Sequence, residues 1–307
     1  MPKYITIDGG TTNTRLSLVV DSSVLQTVKF SVGARNCVEG NSLLKSAIKQ
    51  GIEELLKNNS LREGDIECII ASGMITSEFG LVNLPHIVAP ISVVELHKTA
   101  YRTNFEDITT IPFVFIRGVK TVGADFSSVD MMRGEETELA GIFCGSGIYV
   151  LPGSHSKVIS VDDNGRIVDF KTMFTGEMIS ALCDGTILKD AVVLDDYPMD
   201  FEYLKKGFLF SKSEGINAAL FKTRVLKNLF GATDAQIYHF YMGIILCDEI
   251  GCILRQNPPK VIIGGKKNIK NLLSFLLTEY SNAEIICVPD NVVDVSSAIG
   301  AVKIYEY

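Results

Sequence analysis

Apolar residues recur along this chain with two periods, one typical of strands and one typical of helices. Strand patterns cover residues 4–7, 15–20, 66–72 and 111–116 in the first half. An amphipathic helix is predicted over residues 42–57, with Leu43, Leu44, Ala47, Ile48, Ile52, Leu55 and Leu56 on one stripe. Strands that alternate with helices predict an α/β fold.

The pattern restarts near residue 145. Residues 147–162 again show a strand, a small polar turn and a strand, and Asn164-Gly165 then predicts a hairpin. Helical stretches are predicted over 213–229 and 234–256, followed by a strand, Gly264-Gly265 and a further helix. Because both halves open on the same kind of hairpin, we expect two domains, at residues 1–144 and 145–307.

The first hairpin has a polar tip. Asp8-Gly9-Gly10 is followed by Thr11, Thr12 and Asn13, and Arg15 opens the next strand. Glycine backbone N–H groups, hydroxyls and a carboxylate suit a phosphate bound together with hydrated Mg²⁺. Asp-Gly is also a common hairpin turn, so an ordinary tight turn is the alternative.

Composition narrows the functional classes. The 307 residues carry a net charge of -7, which argues against nucleic acid as the main partner. Seven cysteines without metal-ligand spacing suggest reduced thiols, and no signal-peptide pattern opens the chain, so we expect a cytoplasmic protein. The longest apolar run, residues 237–247, is too short to span a membrane. A homodimer and a monomer both stay open.

Two phosphate-type hairpins and a late strand-Gly-Gly-helix resemble the superfamily of sugar kinases, hexokinase, actin and heat-shock chaperones. The resemblance implies two similar ribonuclease H-like (actin-like ATPase) domains with a nucleotide cleft between them. Gly153-Ser154-His155-Ser156-Lys157 stands at the second phosphate motif, and Gly264-Gly265 at the adenosine motif. No Walker A or GxGxxG pattern appears.

Four longer motifs resemble one family, the 2-dehydro-3-deoxygalactonokinases. They are GMITSEFGLVNLPHIVAP (73–90), MRGEETELAG (132–141), LPGSHSKV (151–158) and DFKTMFTGE (169–177). The chain departs from the family at Gly9 and Val158, where tryptophan is typical, and it contains no tryptophan.

The resemblance implies transfer of the γ-phosphoryl group of MgATP to the 6-hydroxyl of a 2-dehydro-3-deoxy sugar acid. Asp8 is the candidate for the Mg²⁺ shell, through water. Arg133 either pairs with the substrate carboxylate, which a guanidinium binds in bidentate fashion, or pairs only with a neighbouring glutamate. Gly73, Met74 and Ser77 are the other positions expected on the substrate side. The residues expected to contact ATP are Asp8, Gly10, Thr11, Thr12, Asn13, Arg15, Gly153, Ser154, His155, Ser156, Lys157, Gly264 and Gly265.

The catalytic base is expected at the start of the helix after Arg133, because the second phosphate motif contains no aspartate. Glu135 and Glu136 are the candidates, and only one of them faces the substrate, since adjacent helical residues diverge by about 100°. Glu136 is preferred because the Glu136-Thr137 pair resembles the acid-threonine pair of hexokinase-like proteins. Asp169 and Glu177 are the next candidates.

A second class of function shares this fold. The same two-domain ATPase serves proteins that use ATP hydrolysis as a conformational switch or to activate a partner. Such members often carry inserted subdomains, for which 307 residues leave little room. The sequence therefore favours a small-molecule kinase.

Overall fold

A computed structural model of the chain describes residues 1–37, 40–265 and 267–307. The strands are β1 (Lys3–Gly9), β2 (Thr14–Val20), β3 (Ser23–Phe30), β4 (Cys68–Gly73), β5 (Ile87–Val88), β6 (Tyr101–Thr103), β7 (Phe113–Phe115), β8 (Val119–Lys120), β9 (Met131–Met132), β10 (Gly147–Leu151), β11 (Ser156–Val161), β12 (Ile167–Met173), β13 (Lys260–Ile263) and β14 (Glu284–Cys287). The helices are α1 (Ser42–Asn58), α2 (Val93–Lys98), α3 (Glu135–Ile142), α4 (Thr175–Gly185), α5 (Phe201–Glu214), α6 (Ile216–Phe230), α7 (Asp234–Arg255), α8 (Lys267–Tyr280), α9 (Asp290–Val293) and α10 (Ser296–Glu306).

The two large sheets repeat one strand order. In the first, the order is β3-β2-β1-β4-β7-β6, and in the second it is β12-β11-β10-β13-β14. When strands are numbered within each sheet and the short edge strand β6 is left out, both orders are 3-2-1-4-5. This repeated order confirms the predicted α/β class with two similar ribonuclease H-like folds.

Parallel pairing aligns the ends of the central strands of the first sheet. Strand β1 pairs with β4 in parallel, with Asp8 opposite Ser72 and Gly9 opposite Gly73. Strand β4 pairs with β7 in parallel, with Ala71 opposite Phe115. The carboxyl ends of parallel strands are the usual place of a ligand site in such sheets, so residues 8–13, 73–77 and 116–118 leave the sheet where such a site is expected.

The compact units differ from the expected ranges at residues 145–146, 161–170 and 291–307, all of which belong to the first unit. One unit comprises Met1–Ser146, Val161–Phe170 and Asn291–Tyr307, and the other comprises Gly147–Ser160 and Lys171–Asp290. The C-terminal helix α10 belongs to the first unit because it packs closely on α3. A Cβ on Gly300 would lie 1.8 Å from the carbonyl oxygen of Thr137, so the packing requires glycine there.

Most predicted helices are present, with two differences. Leu43 was expected on the buried stripe of α1, but its side chain is 58% exposed, since it lies one position outside the buried face. The helix predicted over 213–229 is broken at Gly215, whose φ of +83° ends α5 and begins α6.

Helix α7 is the long apolar helix of the second unit. By length and composition it also qualifies as a membrane span, but 83% of its most apolar window is buried inside the protein. Its buried side chains, among them Tyr241, Leu246 and Ile250, belong to the hydrophobic core of that unit. This packing is that of a core helix.

Candidate active site

Three glycines meet where the central strands of the first sheet end. Gly73 has a φ of +84°, and a Cβ on it would lie 2.5 Å from the carbonyl oxygen of Gly9. Gly134, with a φ of +114°, precedes α3, and a Cβ there would lie 3.3 Å from the Cα of Gly73. Only glycine fits these contacts, so the start of α3 lies against the ends of β1 and β4.

The tip of the first hairpin is a tight turn whose backbone is held in place. The Gly10 amide donates to the carbonyl oxygen of Asn13 at 2.8 Å, and the Arg35 amide donates to the carbonyl oxygen of Thr11 at 2.9 Å. Thr11 and Thr12 are exposed at the tip, and Thr12 Oγ1 accepts a hydrogen bond from Asn13 Nδ2 at 2.8 Å. The turn therefore presents hydroxyls to solvent, as a phosphate site requires.

The charges of two carboxylates, Asp8 and Glu135, interact beside this hairpin. Burial raises the pKa of Asp8 above its usual value, Arg15 opposes that shift, and the negative charge of Glu135 adds to it. The ion pair between Asp8 and Arg15 is weak, because Arg15 Nη1 lies 3.6 Å from Asp8 Oδ2 and half of the Arg15 side chain is exposed. A partly buried carboxylate with a second acid nearby is an environment that favours a hydrated divalent cation.

Glu136 is turned inward. Its side chain is completely buried, and both carboxylate oxygens accept the Gly134 amide at 2.9 Å. Burial, and then the charge of Glu135, raise the pKa of Glu136 to about 8. Glu135 is partly exposed, and its Oε2 accepts the Arg133 amide at 2.9 Å. The two acids diverge, and Glu135 is the more exposed of the pair. Which of them is the base stays a prediction.

The guanidinium of Arg133 holds the loop that follows β4. Its Nη1 donates to the carbonyl oxygen of Thr76 at 2.7 Å and to Thr76 Oγ1 at 2.5 Å. Its Nη2 donates to the carbonyl oxygen of Leu84 at 3.1 Å and lies 3.3 Å from His86 Nδ1. Both terminal nitrogens are therefore engaged, and a bidentate grip on a substrate carboxylate would require them to exchange partners.

The other residues expected on the substrate side line the same loop. Met74 is partly exposed, and its carbonyl oxygen accepts Ser77 Oγ at 2.7 Å. Ser77 Oγ also accepts the Phe79 amide at 3.3 Å. Gly73, Met74 and Ser77 thus form the turn after β4, beside Arg133.

In the second unit, the start of α4 packs on the second phosphate motif. A Cβ on Gly176 would lie 2.2 Å from the carbonyl oxygen of Gly153, and the Glu177 amide donates to the carbonyl oxygen of Ser154 at 3.1 Å. His155 Nε2 lies 3.7 Å from Glu177 Oε1, and the His155 ring stacks on Phe174. Gly153, Ser154 and His155 are exposed, so this part of the motif is accessible to a phosphate.

Ser156 and Lys157 of the same motif point into the protein. Ser156 Oγ donates to Glu249 of α7 at 2.5 Å, and Thr175 Oγ1 donates to the other oxygen of Glu249. Lys157 is 3% exposed, and its Nζ donates to the carbonyl oxygen of His155 at 3.1 Å. Both side chains were expected to contact phosphate, and that expectation stays a prediction. In this structure their contacts lie within the second unit.

Glu249 was not among the expected site residues, although it directly follows the apolar run 237–247 and Asp248 within a predicted helix. Its side chain is 1% exposed, and burial raises its pKa while the Ser156 and Thr175 hydroxyls oppose the shift. This acid joins the core helix α7 to the second phosphate motif and to the first turn of α4.

Replacing Glu249 with alanine is expected to lower the free energy of unfolding by about 2–4 kcal/mol, because it leaves two buried hydroxyls without an acceptor. Glu202→Ala is the matched control, since Glu202 pairs with Lys206 at the surface and such a pair contributes about 0–1 kcal/mol. Urea unfolding measures both variants. Equal effects of the two substitutions would show that Glu249 does not support the motif.

The remaining expected positions are closely packed. The Gly264 amide donates to the carbonyl oxygen of Val150 at 2.9 Å, and a Cβ on Gly265 would lie 2.8 Å from Pro152. The glycine pair therefore lies against the strand that leads into the second phosphate motif. At the two positions where the family carries tryptophan, a Cβ on Gly9 would lie 2.8 Å from Ile75 Cβ, and Val158 is completely buried. Neighbouring side chains fill the space there.

Metal-ligating side chains are sparse. Within residues 1–37, 40–265 and 267–307, no group of three or more His, Cys, Asp or Glu side chains is placed to hold a metal ion. One carboxylate such as Asp8 is what a magnesium ion that keeps its waters and binds substrate phosphates takes from a protein.

Comparison with known proteins identifies relatives of this chain. Two relatives match the chain: a protein of Rhizobium meliloti (strain 1021) named a probable 2-dehydro-3-deoxygalactonokinase, and the 2-dehydro-3-deoxygalactonokinase of Escherichia coli (strain K12). The first is 28% identical over 63% of this chain and 60% of its own length, and the second is 24% identical over 81% and 79%. The chain thus matches less than two thirds of the first relative.

Solved structures share the fold. A structure from Sinorhizobium meliloti, provisionally assigned as a 2-dehydro-3-deoxygalactonokinase, superposes with a TM-score of 0.79 at 22% identity, over 98% of this chain and 97% of that one. An activator of 2-hydroxyisocaproyl-CoA dehydratase from Clostridium difficile reaches 0.52 at 12% identity, over 98% and 93%. The model of the 2-keto-3-deoxy-galactonokinase family matches residues 8–293. The chain therefore belongs to the 2-keto-3-deoxy-galactonokinase family.

Proposed function

We propose that the protein transfers the γ-phosphoryl group of ATP to the terminal 6-hydroxyl of 2-dehydro-3-deoxygalactonate, acting in the cytoplasm. The observation that supports this most is the pair of acids, Asp8 and Glu135, beside an exposed hydroxyl-rich hairpin at the carboxyl ends of the strands. Phosphoryl transfer needs positioned phosphates, a metal ion and a base near the attacking hydroxyl. In this proposal the hairpin positions the phosphates, Asp8 would hold the metal ion, and Glu135 is the base.

Each group has a distinct role in this proposal. Asp8 holds Mg²⁺ through water, and the ion, when bound, neutralises charge on the phosphates. Thr11, Thr12 and Asn13 contact phosphate oxygens at the first hairpin. Gly153, Ser154 and His155 form the second exposed phosphate-type turn. Gly264-Gly265 borders the adenosine.

Glu135 takes the proton from the sugar hydroxyl as it attacks. Its carboxylate is partly exposed, and its Oε2 already accepts the Arg133 amide, which orients the side chain. The neighbouring Asp8 is close enough for its charge and that of Glu135 to interact. A positioned base of this kind contributes about 10²–10⁴-fold in rate.

The test is ADP release by the purified protein with MgATP, measured with and without each member of a panel of sugars and 2-keto-3-deoxy sugar acids. Strong stimulation by a keto-deoxy sugar acid is expected, with weak stimulation by neutral sugars. ADP release that is slow and indifferent to every sugar would instead favour a switch ATPase.

A further inference from the structure

Arg117 leaves the first sheet beside the proposed active site. The Ile116 amide donates to the carbonyl oxygen of Ala71 at 2.9 Å, which continues the pairing of β4 with β7. Arg117 follows Phe115 by two residues, as Gly73 follows Ala71. Arg117 and Gly73 therefore end neighbouring strands at one level, and since strands lie about 4.8 Å apart, the backbone of Gly9 is roughly 10 Å from Arg117.

Gly118, the residue after Arg117, packs against the segment that leads into α3. A Cβ on Gly118 would lie 2.5 Å from the carbonyl oxygen of Met132, 2.9 Å from His86 Cδ2 and 3.2 Å from Arg133 Cβ. Arg117 thus lies between the turn after β4 and the segment that carries the proposed base.

The Arg117 side chain holds a buried donor that the chain does not use. Its Nε is shielded from solvent and has no hydrogen-bond acceptor in the part of the chain that the structure describes. Arg133 differs from Arg117, because both of its terminal nitrogens donate hydrogen bonds within the chain. A buried polar group without a partner is costly and rare in native proteins, and one explanation is a ligand that supplies the partner.

We propose that Arg117 binds the carboxylate of the sugar acid. This inference rests on the proposed function and names the residue that recognises the acid. A guanidinium pairs with a carboxylate in a planar, charge-assisted arrangement. A phosphate is also an anion, but Arg117 lies two strands away from the Asp8 hairpin and beside the turn formed by Gly73, Met74 and Ser77.

The experiment compares the unmodified protein with Arg117→Met, Arg117→Lys and the control Arg102→Met, an exposed arginine on β6 of the same sheet. KM is measured for the sugar acid and for ATP, and thermal unfolding is followed with and without the sugar acid. Arg117→Met is expected to raise KM for the sugar acid by about 10- to 100-fold, with KM for ATP unchanged. Arg117→Lys keeps the charge but not the planar guanidinium, so we expect it to recover part of the affinity for the sugar acid that Arg117→Met loses.

Stability separates a ligand-binding arginine from a structural one. If Arg117 awaits an anion, Arg117→Met leaves the melting temperature of the free protein unchanged or raises it, while the stabilisation by sugar acid is lost. A lower melting temperature with unchanged KM for the sugar acid would overturn the inference, and so would a raised KM for ATP alone. Unmodified protein that neither binds nor phosphorylates any sugar acid would refute the proposed function itself, and the inference with it.

Discussion

Replacing Glu135 with glutamine is expected to lower kcat by about 10²–10⁴-fold while KM for ATP stays nearly constant. Glutamine keeps the shape of the side chain and can still accept the Arg133 amide, but it cannot take a proton from the attacking hydroxyl. Steady-state kinetics with the sugar acid that gives the highest turnover measures the change.

Glu136→Gln is the matched control, one residue away. Because Glu136 is completely buried and its carboxylate accepts the Gly134 amide, we expect its kcat to stay within a few-fold of the unmodified protein. If Glu136→Gln lost the rate and Glu135→Gln kept it, the base would be Glu136, as the likeness to hexokinase first suggested. If both kept it, Asp169 or Glu177 would be the next candidate.

Glu136→Gln is also expected to change how the free energy of unfolding depends on pH. Folding raises the pKa of Glu136 from 4.5 to about 8, so the neutral carboxyl is the form that the fold favours. The stabilisation that the neutral Glu136 carboxyl gives the folded state is fully present below pH 4.5 and is lost as the pH rises through 8. Over that window the loss is roughly 4–5 kcal/mol at most. Glu136→Gln should remove this dependence, and urea unfolding at pH 5 and pH 8 measures it.

Asp8→Asn is expected to lower phosphoryl transfer by about 10²-fold or more at low millimolar Mg²⁺, because the variant loses the carboxylate that holds the hydrated ion. Burial raises the pKa of Asp8, so the ionised form is not what stabilises the fold, and the melting temperature should not fall. Titration of kcat with Mg²⁺ measures the effect.

Asp21→Asn is the control for that substitution. Asp21 is exposed in the turn between β2 and β3 with a φ of 51°, a conformation that asparagine also adopts readily. It should keep normal turnover and metal dependence. Near-normal turnover and metal dependence in Asp8→Asn would mean that the first hairpin is only a turn.

Much of the fold was predictable because periodicity depends on local sequence. The strands on both sides of Asp8 and the apolar run of α7 carry strong patterns, and the structure places them as expected. The assignment of α10 to the first unit was not predictable, since it depends on a long-range contact between Gly300 and Thr137. Periodicity contains no information on which helix another helix will meet.

The site was predictable in its motifs but not in the direction of its side chains. MRGEET marked the right helix start, yet only the contact of Glu136 with Gly134 shows which acid turns inward. Likewise, PGSHSK marked the second phosphate motif, but the hydrogen bond from Ser156 to Glu249 spans 93 residues of sequence. Arg117 lies in no recognised motif, and only its buried Nε, which has no acceptor among the described residues, makes it notable.

The most direct test of the proposed function is the structure of the product. The protein is incubated with MgATP and 2-dehydro-3-deoxygalactonate, and the mixture is analysed by two-dimensional ¹H–³¹P NMR together with ADP quantification. We expect one sugar phosphate, with its phosphorus coupled to the protons on carbon 6, formed in equal amount to ADP. ADP without a phosphorylated sugar, or phosphate on another carbon, would contradict the proposal.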